Sequence, residues 1–287
     1  MNELQAGTVV TLKVDREAPF GYFLTNGEED VLLHNNEINA DEFDPDKEHT
    51  VFLFQDHQGR LAATLQIPQV QLGTYDWVEV VEVKPNLGVF VNIGISKDIL
   101  VSKDDLPGVD HIWPKRGDQL YCSLKTDKKG RLFAKLATED IIRGIAKPAT
   151  QRDFNKNVTG RVYRLLLVGS FILTEEGYIG FIHESERKQE PRLGEQVHGR
   201  IIAVKDDGSV NISLLGRGHE IVDDDSNTIY SYMESRGGAM PFGDKSNPDD
   251  IKERFNMSKA AFKRALGKLM KEGKVYQEEG WTYFKKE

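Results

Sequence analysis

Val168-Gly169-Ser170-Phe171-Ile172, followed by Gly180-Phe181-Ile182-His183-Glu184-Ser185-Glu186, is the stretch on which the fold turns. A glycine sits inside one apolar run, and a polar residue closes the next run 14 residues later. The pattern occurs twice more. Phe20-Gly21-Tyr22-Phe23-Leu24 leads in 13 residues to Leu32-Leu33-His34, and Leu87-Gly88-Val89-Phe90-Val91 leads in 14 to Leu100-Val101-Ser102. In each copy a turn glycine then stands six residues before a strand leucine: Gly59 and Leu65, Gly130 and Leu136, Gly208 and Leu214. First glycine and turn glycine are 38, 42 and 39 residues apart. Three landmarks in one order at nearly one spacing mark an internal repeat.

Each unit reads as short strands. Val9 to Val14, Val78 to Val83 and Val158 to Tyr163 are β-branched-rich, and Asp56-His57-Gln58-Gly59, Asp127-Lys128-Lys129-Gly130 and Asp206-Asp207-Gly208 are turns between strands. About five strands in so short a unit predict a small antiparallel barrel, which leaves no open edge. The glycine within the second strand fits a sharp bend or a close backbone approach. On these residues, with Gly160-Arg161-Val162 and Asn211-Ile212-Ser213-Leu214, the third unit resembles an S1 RNA-binding domain, an OB-fold barrel. The first is similar through Phe20 to Leu24 and Leu32-Leu33-His34-Asn35-Asn36-Glu37-Ile38. The second departs: Leu87 replaces the aromatic before the glycine and Ser102 replaces the histidine, so a degenerate platform is expected there.

After Arg217 the period changes. Ser226 is expected to cap a helix running to about Gly237, with Ile229, Tyr232 and Met233 as its apolar face. Asn247-Pro248-Asp249-Asp250 opens a second helix. Ser258 opens a third, which stops at Gly273 and carries Phe262, Ala265, Leu266 and Leu269 on one stripe. Val275-Tyr276-Gln277 and Trp281-Thr282-Tyr283-Phe284 then form a hairpin. Three helices and a two-stranded ribbon resemble a winged-helix domain. The expected fold is mainly β with a C-terminal α/β unit: three tandem OB-fold (S1-like) barrels at 1–66, 73–138 and 154–217, then a winged helix at 226–287. That order resembles the conserved virulence factor B family of bacterial RNA-binding regulatory proteins, which implies a post-transcriptional role in regulating other genes.

OB-type barrels hold single strands by stacking bases on exposed rings and running the backbone along cations. The candidates are Phe20, Phe23 and His34 in the first barrel, Phe90 in the second, and Phe171, Phe181 and His183 in the third. Arg161, Arg164 and Arg200 are candidate phosphate contacts. Strand alternation would turn half of these rings inward. In the C-terminal unit, Lys259, Lys263, Arg264, Lys268, Lys271 and Lys274 face one acid, Glu272, beside Trp281 and Tyr283 of the wing. Such a helix can lie along phosphates.

Enzymatic readings find little. The seven histidines never pair at metal-ligand spacing, and no Gly-rich phosphate loop occurs. Asp223-Asp224-Asp225 reads as a solvated linker ahead of the first helix. Cys122 is alone. No cofactor or metal is expected. Neither an export signal nor a membrane-length apolar run is visible, which places the protein in the cytoplasm, away from a membrane. The net charge of −8 opposes a phosphate ligand at first sight. Residues 1–72, however, hold 13 acids against 4 bases, a net of −9, and the remaining segments are near neutral. The objection therefore falls on the first barrel alone, which is expected to be a secondary RNA contact or to serve a protein partner. The expected partner of the third barrel and winged helix is single-stranded RNA. Two alternatives are a scaffold for an RNA-processing or translation assembly, and a DNA-binding transcription regulator acting through the winged helix.

Overall fold

The computed structural model describes residues 3–38 and 43–285, in two compact units, Met1–Leu214 and Leu215–Glu287. The first holds three closed five-stranded barrels. Barrel 1 is β1 (Val9–Ala18), β2 (Gly21–Thr25), β3 (Asp30–His34), β4 (Glu48–Gln55) and β5 (Leu61–Thr64). Barrel 2 is β6 (Asp76–Lys84), β7 (Gly88–Asn92), β8 (Ile99–Ser102), β9 (Gln119–Thr126) and β10 (Leu132–Leu136). A short helix α1 (Glu139–Ile145) leads to barrel 3: β11 (Asn157–Leu166), β12 (Gly169–Thr174), β13 (Ile179–His183), β14 (Gln196–Val204) and β15 (Val210–Ser213).

All three share one topology. The third and fifth strands pair in parallel and the other neighbours antiparallel. Each first strand carries a bulge at the same place, Val14/Arg16, Val80/Glu82 and Val162/Arg164. Such a bulge bends the strand and increases its twist, as closure requires. Alternation then sends one set of residues inward; in barrel 3 these include Val162, Ile172, Ile182, Ile201 and Ile212, all fully buried. At the start of β2 and β7 the glycines have φ of 151° and 135°. A Cβ would lie 2.1 Å from the Leu33 carbonyl oxygen at Gly21 and 2.0 Å from that of Val101 at Gly88.

The barrels are welded. Phe52, Phe54 and Ala62 of barrel 1 belong to the same buried cluster as Val70, Ile93 and Ile95, so the segment between barrels 1 and 2 is part of a core. Leu72 bridges Leu124, and its amide donates to the Gly7 carbonyl at 3.1 Å. Lys97 Nζ, on the β7–β8 loop, donates to the carbonyls of Gln55 (2.6 Å) and Asp56 (3.1 Å). Between barrels 2 and 3, Arg192 forks onto Asp118 at 3.1 Å through both Nε and Nη2. Ile142 of α1 packs with Leu173 and Ile179 against Trp77, Tyr121 and Tyr163.

Asp153 carries the turn that enters barrel 3. Its carboxylate accepts from Lys156 Nζ (2.9 Å) and from the Thr150 amide and hydroxyl. Lys156 first, then Thr150, hold its pKa down to about 2. Because the folded pKa lies below the unfolded one, this contribution is complete above the unfolded value near 4 and is lost as pH falls toward about 2. We expect the Thr150 amide to lose hydrogen-exchange protection selectively across that window, and Asp153→Asn to abolish the pH step.

The second unit consists of α2 (Gly218–Ser235), β16 (Ala239–Met240), α3 (Pro248–Phe255), α4 (Lys259–Lys271), β17 (Val275–Glu278) and β18 (Trp281–Phe284), the strands ordered β16-β18-β17. Asn247 and Ser258 cap α3 and α4 as their sequences predict, accepting from the amides of Asp249 and Ala261. Ser226 is no cap. α2 begins eight residues earlier, and the Ser226 hydroxyl lies buried mid-helix, 2.6 Å from the Val222 carbonyl and 3.1 Å from that of Ala265. The acids 223–225 are therefore helical, and Asp223 pairs with Lys268. A serine bonded back to the residue four before it is helix-compatible, and three consecutive acids hid that helix. Ile229, Met233, Ile251, Phe262, Leu266 and Leu269 form the core.

Candidate nucleic-acid interface

Shared register places equivalent residues in one transverse row of each barrel. In barrel 3 the row runs Arg164, Phe171, Phe181, Asn211 across β11, β12, β13 and β15. Neither ring is fully buried, although Phe171 packs on one side against the Ile142, Leu173 and Ile179 cluster. Phe171 and Phe181 are half-buried with centroids 5.0 Å apart, and exposed His183 meets Phe181 edge-on at 6.4 Å. The Phe181 ring leans over Gly169, where a Cβ would come within 2.6 Å of it. Cations ring the platform: the Arg164 guanidinium is 5.9 Å from the Phe171 centroid, and Lys205 Nζ is 5.9 Å from that of Phe181. Arg187, its side chain only 8% exposed, donates to Ser170 Oγ at 2.6 Å and pairs with Glu190. Accessible rings beside cations are the general means by which barrels of this kind stack unpaired bases.

His183 has a second task. Its Nδ1 accepts from the Ser185 amide at 3.2 Å, capping a 3₁₀ turn, so the ring proton sits on Nε2. His34 Nδ1 does the same for Asn36, and Ser102 Oγ for Asp104. Serine in barrel 2 thus keeps the turn and loses only the ring.

In barrel 1 the row is Arg16, Phe23, Leu32, Ala62. Arg16 lies 4.1 Å over the Phe23 ring, pinned by Asp30 at 2.7 Å and by Asp15. The Asp30 bond, then that of Asp15, raise the Arg16 pKa further. One face of Phe23 is already occupied. Phe20, 47% exposed, touches Phe23 edge-on at 6.4 Å.

In barrel 2 the row is Glu82, Phe90, Leu100, Phe133. Phe133 was not among the sequence candidates. It lies one residue past Leu132 after the Gly130 turn, where the other barrels carry Ala62 and Asn211, so the repeat gave no reason to weigh it. Tyr163, Lys205 and Arg187 also join barrel 3's surroundings without a local motif to announce them.

Two proposed phosphate contacts have other partners. Arg161 stands 5.5 Å over Trp77 and bonds Gln196 at 3.3 Å, at the junction of barrels 2 and 3. Arg200 Nη1 donates to Asn155 Oδ1 at 3.3 Å. Arg164 also reaches Glu139 at 3.4 Å.

In the C-terminal unit the cations divide. Lys263, Arg264 and Lys271 are exposed and Lys259 is half-exposed. Lys268 pairs with Asp223, which raises its pKa, and with Glu272 at 3.5 Å. Lys274 pairs with Glu272 at 2.8 Å. On the wing, Glu279 and Gly280 take positive φ, the two-residue turn that suits strand twist. Trp281, Tyr283 and Tyr276 stack in sequence, at 6.3 and 5.4 Å. Tyr276 pairs directly across the hairpin from Tyr283, which extends the two predicted rings to three. Among the described residues no cluster of His, Cys, Asp and Glu could hold a metal ion, and no helix is long and apolar enough to cross a membrane. Burial pushes the Cys122 thiol pKa up, away from nucleophilic use.

Comparison with known proteins follows the same division. Residues 6–66 match the S1 domain family and residues 75–135 the CvfB first S1-like domain. Residues 142–216 match the second domain of virulence regulatory factor CvfB, and residues 227–284 the CvfB-like winged helix domain. The chain is 55% identical over 285 residues to YitL of Bacillus subtilis (strain 168), covering 99% of this chain and 95% of that one. It is 42% identical over 257 residues to conserved virulence factor B of Staphylococcus saprophyticus, covering 89% and 85%. A crystal structure of a multidomain protein with nucleic acid binding domains from Streptococcus pneumoniae superposes with a TM-score of 0.67 at 37% identity, covering 98% of each chain. Three S1-like barrels and a winged helix, matched in order and along nearly the whole length, place this chain in the conserved virulence factor B family.

Proposed function

We propose that the protein is a non-enzymatic binder of single-stranded RNA that acts in the cytoplasm, after transcription, on the expression of other genes. The observation that carries this reading is the Phe171–Phe181–His183 platform of barrel 3, rimmed by Arg164 and Lys205. Its two phenylalanines keep part of their surface exposed beside the exposed His183, which leaves room for a base. The exposed Lys263, Arg264 and Lys271 on α4, with the wing rings, supply a second contact. Two linked contacts raise affinity through effective concentration. Barrel 1 is secondary in this scheme, being acidic and having Arg16 over Phe23.

The test is a titration of unstructured RNA against the full chain at several salt concentrations. Each phosphate neutralised on a single strand contributes about −0.7 to the slope of log K against log salt. Lys263→Ala with Arg264→Ala is therefore expected to flatten that slope by about 1.4. Affinity indifferent to salt, or duplex DNA outcompeting single-stranded RNA, would count against the proposal.

A further inference from the structure

In barrel 2 the aromatic platform is rebuilt. Where barrel 3 places its rings on β12 and β13, barrel 2 places them on β7 and β10: Phe181 is replaced by Leu100, and Asn211 by Phe133. Both Phe90 and Phe133 are half-buried, with Leu100 between them. Strands lie about 4.8 Å apart, so rings two strands apart are rooted about 10 Å from each other. That separation suits bases splayed from an extended strand, one to each ring. Each ring has its own cation: Lys84 Nζ is 5.0 Å from the Phe90 centroid and the Arg131 guanidinium 5.6 Å from that of Phe133.

The rings also face a groove. A cavity of about 450 Å³ is lined by Phe90, Leu100, Phe133, Lys129 and Arg131 from barrel 2, and by the Asp56–Gly59 turn of barrel 1. A second, of about 370 Å³, continues along barrel 1 past His34, Asn36 and Arg60. The two share Asp56, His57 and Lys97. Lys97 is fastened to two barrel 1 carbonyls, so the wall between the cavities is held in place before any ligand arrives. Asp56 pairs with Arg60 and Asp127 with Arg131, each at 2.7 Å, and Glu82 beside Phe90 pairs with Lys84 at 3.1 Å, while Asp98 and Glu37 stand in the two linings.

We infer that the junction of barrels 1 and 2 is a second single-stranded RNA site, in which Phe90 and Phe133 each stack one base, Lys129 takes a phosphate, and Lys84 and Arg131 turn from Glu82 and Asp127 to others. This rests on the RNA-binding reading above but uses none of barrel 3's residues. It gives the second barrel a binding role despite the missing histidine, and gives barrel 1 a share in the groove through its turn.

The experiment uses the full chain, first unaltered and then carrying Phe171→Ala and Phe181→Ala to silence barrel 3. A uridine-rich octamer containing 4-thiouridine is photo-crosslinked and the attached peptides are mapped. Crosslinks within 84–103 and 125–136 are expected in both chains. Adding Phe133→Ala to the silenced chain should weaken binding about tenfold, while Phe133→Trp should retain it. Phe133→Leu keeps the apolar contact without the ring and should behave as the alanine variant, separating stacking from folding. Crosslinks confined to barrel 3 and the C-terminal unit, or an unchanged affinity for Phe133→Leu, overturn this site alone. Absence of any crosslink and any binding in the unaltered chain overturns the RNA-binding reading with it.

Discussion

Alanine at Phe181 is expected to weaken binding of unstructured RNA by about 1–3 kcal/mol, the usual worth of one stacked base. Phe171→Ala should cost a similar amount. Their rings are in contact at 5.0 Å, so the double variant should fall short of the sum. Phe181→Tyr preserves the face and should be nearly neutral. Phe23→Ala in barrel 1 provides the internal contrast. Arg16 already lies over that ring at 4.1 Å, held by two carboxylates, so its loss should change affinity little. Isothermal titration on all five variants, with far-UV circular dichroism melting as the folding control, decides between a platform and a set of packing residues. Equal losses at Phe23 and Phe181 would show that ring position in the barrel does not govern binding.

The largest stability effect should follow from Gly88→Ala. The backbone there has φ of 135°, a region that L side chains rarely adopt, and the new methyl would meet the Val101 carbonyl oxygen at 2.0 Å and the Lys103 amide nitrogen at 2.8 Å. Both obstacles are backbone, so no side chain can rotate aside. Either β7 and β8 part or the barrel opens, at a cost of about 3 kcal/mol or more. Trp77 and Trp113 both lie in barrel 2, so Trp281→Phe leaves a chain whose emission reports on that barrel. Its urea midpoint should drop sharply on adding Gly88→Ala. Gly94→Ala is the control: its φ is also positive, at 91°, but nothing lies within 4 Å of the added carbon. It should show only the smaller backbone penalty.

Much of the fold could be read in the chain because the repeat is written in glycines, required by backbone contact at Gly21, Gly88 and Gly169 and by positive φ at the turns of Gly59, Gly130 and Gly208. The caps of α3 and α4 were equally legible, since Asn247 and Ser258 satisfy amides only one turn away. The start of α2 was not. Its acids and Ser226 look like a linker locally, and what holds them helical is distant: Asp223 on Lys268, and Ser226 beside Ala265. The binding faces show the same limit. Phe171, Phe181 and His183 could be named from the motif, and both phenylalanines keep part of their surface exposed. Phe133 could not, because its place beside Leu100 follows from parallel pairing of strands far apart in sequence. Arg161 reads as a phosphate contact until Trp77, 84 positions earlier, is found beneath it.

The weld between the first two barrels limits how the molecule can be taken apart. Phe52, Phe54 and Ala62 are buried with Val70, Ile93 and Ile95, and the strand-like contact of Leu72 with Leu124 closes over them. A chain begun at residue 73 would carry every strand of barrel 2 and yet present a raw apolar scar to water. Such patches drive association. Dissection by truncation would therefore report on the scar, and the separate duties of these barrels are better assigned by point substitutions in the intact chain.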